Sequence, residues 1–149
     1  MGAFEVETTI HAPIAAVWER LAGDVGAIAE WNPGVQESYT LGSKKTGLGA
    51  KRHCELGGNY LTEDVVEFVF ERAISFRIME TDLPFARAVI RFTLESVLST
   101  DTRVRVSPDY KLKYGCLGEH LDWCMVQSTY RKGMTNLLAG LKKDVETEQ

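Results

Sequence analysis

Cysteine is scarce in this chain of 149 residues and carries no motif. Cys54, Cys116 and Cys124 are an odd number without Cys-x-x-Cys spacing, so neither a disulfide framework nor a zinc knuckle is expected. Reduced thiols in a cytoplasmic setting are the simplest reading. Long apolar runs are also missing: no segment approaches the roughly 18–20 residues of a membrane-spanning helix. The opening Met1-Gly2-Ala3-Phe4-Glu5 lacks the basic and apolar regions of a signal peptide, which points to a cytoplasmic protein with no integral membrane segment. Nor is there an excess of positive charge. A net charge of −4 is the wrong sign for a general nucleic-acid binder, which displaces counterions from phosphates with a basic surface, so nucleic acid is not an expected partner.

Cofactor signatures are lacking in the same way. Gly42-Ser43-Lys44-Lys45 and Gly47-Leu48-Gly49 fit neither the Walker nor the dinucleotide pattern and read as turns within a sheet. His11, His53 and His120 fall in different elements without supporting Asp or Cys spacing, so no metal is expected, and no other cofactor.

What is present is ordinary globular material. The chain is 44% hydrophobic and 26% charged, far from the composition of disorder, and its length suits one domain. Phe4, Val6, Thr8 and Ile10 alternate with Glu5, Glu7, Thr9 and His11, the period of a strand with one buried face. Pro13 stops that strand and opens a short helix carrying Val17, Trp18 and Leu21. A second short helical stretch, 24–30, is capped by Asp24 and ends at the turn Trp31-Asn32-Pro33-Gly34. From 35 to 114, turn residues separate strands near 35–41, 48–56, 60–70, 73–81, 86–98 and 102–114. With the first, these make seven, joined by short connections that favour antiparallel neighbours.

A curved open sheet needs a cover. Residues 118–146 contain no proline, and Leu117, Leu121, Cys124, Met134, Leu137, Leu138, Leu141 and Val145 recur at helical spacing. They predict one helix of about 28 residues, about 42 Å long, and an α+β fold in which the sheet grips it.

Two features point to an internal cavity. His120, Gln127, Ser128 and Arg131 fall near the apolar face of the helix, where unpaired polar groups would cost about 1–3 kcal/mol each in a dry core; either this face looks onto a wet pocket, or the stripe drifts and they meet solvent. On the strands, Arg52 shares a face with Ala50, Cys54 and Leu56, and Glu63 with Leu61 and Val65. The two either pair inside the protein, anchoring the polar end of a ligand, or form an ordinary outward pair. Acid–base chemistry would draw on His120, Glu63 or Asp109, with Tyr60 or Tyr110 as donors. Cys54 and Cys124 read as buried small hydrophobes rather than nucleophiles. Trp31 suits either a cavity mouth or a core plug, and Trp123, on the flank of the long helix, is a hint of a partner surface.

Several stretches carry a likeness in their order and spacing: Ile10-His11-Ala12-Pro13-Ile14-Ala15-Ala16-Val17-Trp18, Asp24 with Trp31-Asn32-Pro33-Gly34-Val35, Gly47-Leu48-Gly49-Ala50-Lys51-Arg52, Gly58 with Glu63, Leu83-Pro84, and Asp101-Thr102-Arg103-Val104 before the terminal helix. Across nearly the whole chain they resemble the polyketide cyclase/dehydrase and lipid transport family, within the superfamily of StAR-related lipid-transfer domains, birch-pollen-allergen-like proteins and plant abscisic-acid receptors. The resemblance implies a helix-grip fold, with seven antiparallel strands, two small helices between the first pair, and a long helix closing a hydrophobic tunnel. It does not imply one activity, since relatives bind lipids, steroids, hormones or aromatic polyketides and only some are enzymes. The receptors' proline-bearing gate loop is missing from Leu56-Gly57-Gly58-Asn59-Tyr60, which argues against a hormone receptor.

The expected function is binding or carriage of a small hydrophobic molecule, with Arg52, Glu63, Trp31, His120, Gln127 and Arg131 as candidate ligand contacts. The alternatives are a cyclase, dehydratase or aromatase-like enzyme in the same cavity, and an interaction module with a collapsed pocket. Monomer and homodimer are both open.

Overall fold

The alternation at the amino terminus does form a strand, but in two pieces. The computed structural model describes residues 2–113 and 119–148, with side chains of the last helix from 125 onward. Strands β1 (Gly2–Ala3) and β2 (Val6–Ile10) both pair antiparallel with β8 (Asp101–Leu112), in one continuous register from Gly2↔Tyr110 to Ile10↔Thr102. The break at Phe4 falls opposite Pro108. Phe4 N–H still donates to the Pro108 carbonyl at 3.4 Å, but proline has no N–H to return, so the ladder lapses there.

Pro13, extended at φ −62° and ψ 151°, caps α1 (Ile14–Ala22), which buries Val17, Trp18, Leu21 and Ala22. The second helical stretch is a 3-10 helix, Val25–Glu30; the Asp24 carboxylate accepts from Gly26 N–H at its start. Five further strands, β3 (Glu37–Leu41), β4 (Lys51–Glu55), β5 (Tyr60–Val69), β6 (Ala73–Thr81) and β7 (Phe85–Leu98), complete an antiparallel sheet ordered β1-β8-β7-β6-β5-β4-β3, with β2 beside β1 on β8. β4 begins later than its composition suggests because Gly47 and Gly49 adopt φ of 87° and 84°, a left-handed backbone that no strand sustains.

Register shifts interrupt β5–β6 at Thr62/Glu63 and Val65/Glu67, and β7–β8 at Phe85/Arg87 and Ser96/Leu98. Such bulges increase twist and bend the strands that carry them. The inward face carries Cys54, Val65, Ile74, Phe76, Phe92 and Val106, all buried. Against it lies α2 (Glu119–Thr147), whose Leu137, Leu138, Leu141 and Val145 are buried in the core.

The carboxy-terminal half of α2 is tied down on several sides. Arg20 of α1 reaches Asp144 at 2.7 Å and Glu30 at 3.0 Å. Lys142 Nζ donates to the Thr9 carbonyl at 2.7 Å and to Glu146, while Glu146 accepts from His11 N–H at 2.8 Å. Gly140 completes the clamp: a Cβ there would lie 2.2 Å from the Trp31 carbonyl oxygen, so the helix crosses the 31–33 turn only because this residue has no side chain. The half of α2 nearer its amino terminus is left to roof whatever lies beneath it.

Candidate functional site

Beneath that roof is a cavity of about 480 Å³, within the usual range of small-molecule sites. Its walls are almost entirely apolar. The sheet supplies Cys54, Leu61, Ile78, Ile90 and Phe92, and α2 supplies Val126, Tyr130, Met134 and Leu137. Gly34, Pro84, Met125, Thr129 and Gly133 line it and are also exposed, so the mouth lies between one edge of α2 and the loops before β3 and β7.

Arg52 and Glu63 meet on the cavity wall. They are direct partners in the β4–β5 register, and the inward period of both strands, with the bulge beside Glu63, turns both side chains to the concave face. Arg52 Nε donates to Glu63 Oε1 at 2.8 Å, and each side chain is only 4% exposed. The guanidinium also donates from Nη1 to the Val25 carbonyl at 3.0 Å, and it lies 3.8 Å from the centre of the Phe76 ring. A buried pair with this many partners offsets much of its desolvation cost, whereas removing one member leaves a stranded charge.

Tyr130 is the polar group that the sequence reading passed over. Its ring is held by Phe4 and Phe85, with centroids at 5.3 Å in both cases, and by Tyr110 at 5.2 Å. Its hydroxyl is buried and has no hydrogen-bond partner among the described residues, a deficit of about 1–3 kcal/mol for a buried polar group. Burial pushes its ionisation far above the ordinary tyrosine value, and the nearby Glu63 carboxylate and Tyr110 push it further. It is a neutral donor at any physiological pH. A signal for it existed: counting back from Leu141, Leu137 and Met134 in helical steps reaches Tyr130 and Val126.

The other expected contacts lie elsewhere. Trp31 is a core residue at 5% exposure and does not line the cavity. Gln127 faces Tyr110, whose hydroxyl donates to its Oε1 at 3.4 Å. Arg131 is exposed, with its guanidinium 4.8 Å from the centre of the Phe4 ring and a bond to the Glu5 carbonyl at 3.3 Å. Gln127 and Arg131 each follow a lining residue, Val126 and Tyr130, and one helical step turns a side chain by about 100°. The wet face inferred from Gln127, Ser128 and Arg131 is thus offset by one residue from the face that lines the cavity, which among the described residues is apolar except for Tyr130 and Thr129. The side chains of His120, Trp123 and Cys124, and all of Cys116, lie outside the described residues.

Of the remaining acid–base candidates, Asp109 is exposed and 3.8 Å from Arg87, Tyr60 donates to Glu80 at 3.1 Å outside the cavity, and Tyr110 is fully buried in the aromatic cluster. Cys54 lines the cavity, but burial raises its thiol to about 12, so it stays protonated and unreactive. No group of three His, Cys, Asp or Glu able to hold a metal occurs among the described residues. No helix among them is long and apolar enough to cross a membrane. What the described residues of the cavity offer chemically is a mostly apolar volume with one buried ion pair and the buried, unpartnered hydroxyl of Tyr130.

A curved antiparallel sheet closed over one long helix, with two short helices between its first strands, is the helix-grip fold of START-like proteins. The chain belongs to the polyketide cyclase/dehydrase and lipid transport family, whose model matches residues 1–146. Among solved structures, it is similar to a START superfamily protein from Mycobacterium smegmatis, at 15% identity over 99% of both chains with a TM-score of 0.81. It is also similar to the Zhui aromatase/cyclase from a Streptomyces species, at 19% identity over 97% of this chain and 93% of that one, again with a TM-score of 0.81. A Thermus thermophilus protein aligns over 99% of both chains at 22% identity with a TM-score of 0.80. At these identities the likeness is one of fold. No curated protein sequence matches the chain.

Proposed function

We propose that this protein binds and carries a small hydrophobic molecule inside the cavity beneath α2. The observation that carries the reading is the cavity's make-up: about 480 Å³ walled mostly by apolar side chains, with the only lining ion pair among the described residues matched within itself. A dry core would fill such a volume, since voids of this size forfeit packing contacts. Native mass spectrometry of protein purified gently from its source tests the reading, with a retained molecule of a few hundred daltons as the expected result. A protein that retains nothing and takes up no apolar probe sinks it and leaves an interaction module.

A second reading, a cyclase or dehydratase acting in the same cavity, draws support from the family's description and from the aromatase/cyclase among its structural neighbours. It would use Glu63 and the Tyr130 hydroxyl as the proton-handling groups on the cavity wall. Glu63→Gln separates the two: a carrier changes only in affinity and releases its ligand unaltered, while an enzyme loses turnover.

A further inference from the structure

We infer that the cavity selects an uncharged, largely apolar ligand bearing one hydrogen-bond-accepting oxygen, such as a ketone, which sits on the Tyr130 hydroxyl, and that it rejects carboxylates of the same shape. This rests on the reading of the cavity as a ligand site.

The charge balance comes first. Arg52 is the only cation lining the cavity among the described residues, and Glu63 holds it at 2.8 Å with both side chains nearly sealed from solvent. Its Nη1 serves the Val25 carbonyl and its flat face covers Phe76. A ligand carboxylate would place a second anion beside Glu63 with one cation between them, in surroundings that screen charge poorly. A neutral ligand avoids this.

The hydrogen-bond inventory comes second. Asn32 and Thr129 also line the cavity; Asn32 Oδ1 accepts from Gly34 N–H at 2.9 Å, and Thr129 lies at the exposed mouth. Cys54 offers only a weak donor. Tyr130 alone presents a buried hydroxyl with no partner among the described residues, and three aromatic rings pack against its own ring. A hydroxyl that keeps its proton can donate it to an acceptor oxygen of the ligand. The rest of the wall asks for hydrocarbon or aromatic surface.

Isothermal titration with three probes of one skeleton tests this: 2-acetylnaphthalene, 2-ethylnaphthalene and 2-naphthoate, at pH 8, on the unaltered protein and on Tyr130→Phe. On the unaltered protein the ketone should bind tightest and the carboxylate weakest. Tyr130→Phe should weaken the ketone by about fivefold to tenfold, the scale of one net hydrogen bond, while the hydrocarbon changes less than about twofold. If the carboxylate binds as tightly as the ketone, or if Tyr130→Phe leaves the ketone unaffected or weakens all three alike, the inference fails while the cavity reading stands. If no probe binds the unaltered protein, both fall together. The comparison of ketone with carboxylate needs no variant, so it decides the charge argument even if Tyr130→Phe misfolds.

Discussion

Arg52 and Glu63 face each other across β4 and β5 with 2.8 Å between Nε and Oε1, on a cavity wall that is mostly apolar. The pair gives the site its one strongly polar point, and its energetics are asymmetric. Glu63→Ala or Arg52→Ala should each cost about 3–5 kcal/mol by stranding the other charge, while the double change Arg52→Met with Glu63→Leu should be close to neutral. Urea denaturation of the four proteins checks both expectations. Single changes within about 0.5 kcal/mol of the unaltered protein would show that water reaches the pair and that the wall is open there.

Two glycines of α2 should respond oppositely to the same substitution. A Cβ at Gly133 meets nothing within 4 Å, whereas one at Gly140 strikes the Trp31 carbonyl. Gly133→Ala should therefore stabilise the protein by about 0.5–1 kcal/mol, the helix preference of alanine. Gly140→Ala should destabilise it by about 1–3 kcal/mol through overpacking.

Gly133 also lies at the cavity mouth, which makes Gly133→Trp a plug. Its stability should change little, while stopped-flow uptake of 2-acetylnaphthalene slows by an order of magnitude or more. Unchanged uptake would place the working mouth elsewhere.

Acid should erode stability through two carboxyls in particular. Hydrogen bonds from Arg91 and Ser75 hold Glu67 below its ordinary 4.5, and the His11 N–H and Lys142 do the same for Glu146. Both bind protons more weakly folded than unfolded, so their contribution is fully present above that ordinary value and is lost as pH falls through the lowered folded values. Glu146→Gln should flatten the acid limb of stability against pH and lower stability near neutrality. A limb of unchanged steepness would assign acid sensitivity to other groups.

Cys54 should be chemically silent. With its thiol near 12, the thiolate fraction at pH 8 is on the order of one in ten thousand. Peptide mapping after brief iodoacetamide treatment should find Cys54 unmodified in the folded protein and labelled after denaturation. Rapid labelling of the folded chain would contradict its burial.

The course of the sheet was readable because its signals are local. Pro13 and Asp24 mark helix starts, Gly57-Gly58-Asn59 marks a hairpin, and the alternation in 101–112 needs no knowledge of its neighbours. The split at Phe4 was not readable, because it depends on Pro108 standing opposite in the register. The inward aim of Arg52 and Glu63 followed from the strand period alone, though their contact required β4 to lie beside β5 in one register.

The helix marks the boundary between the two kinds of information. Its extent, and the apolar stripe from Met134 to Val145, are properties of spacing, since an α-helix returns to the same face every 3.6 residues whatever it packs against. Which face of its earlier half looks inward was decided by tertiary structure. Gly140 crossing against Trp31, Arg20 clasping Asp144 and Lys142 reaching Thr9 fix the rotation of α2, and that rotation turns Tyr130 toward the cavity and Arg131 toward solvent. Whether a polar side chain on a helix serves a ligand or meets water is a matter of one step in the chain, and only packing across the fold makes that choice.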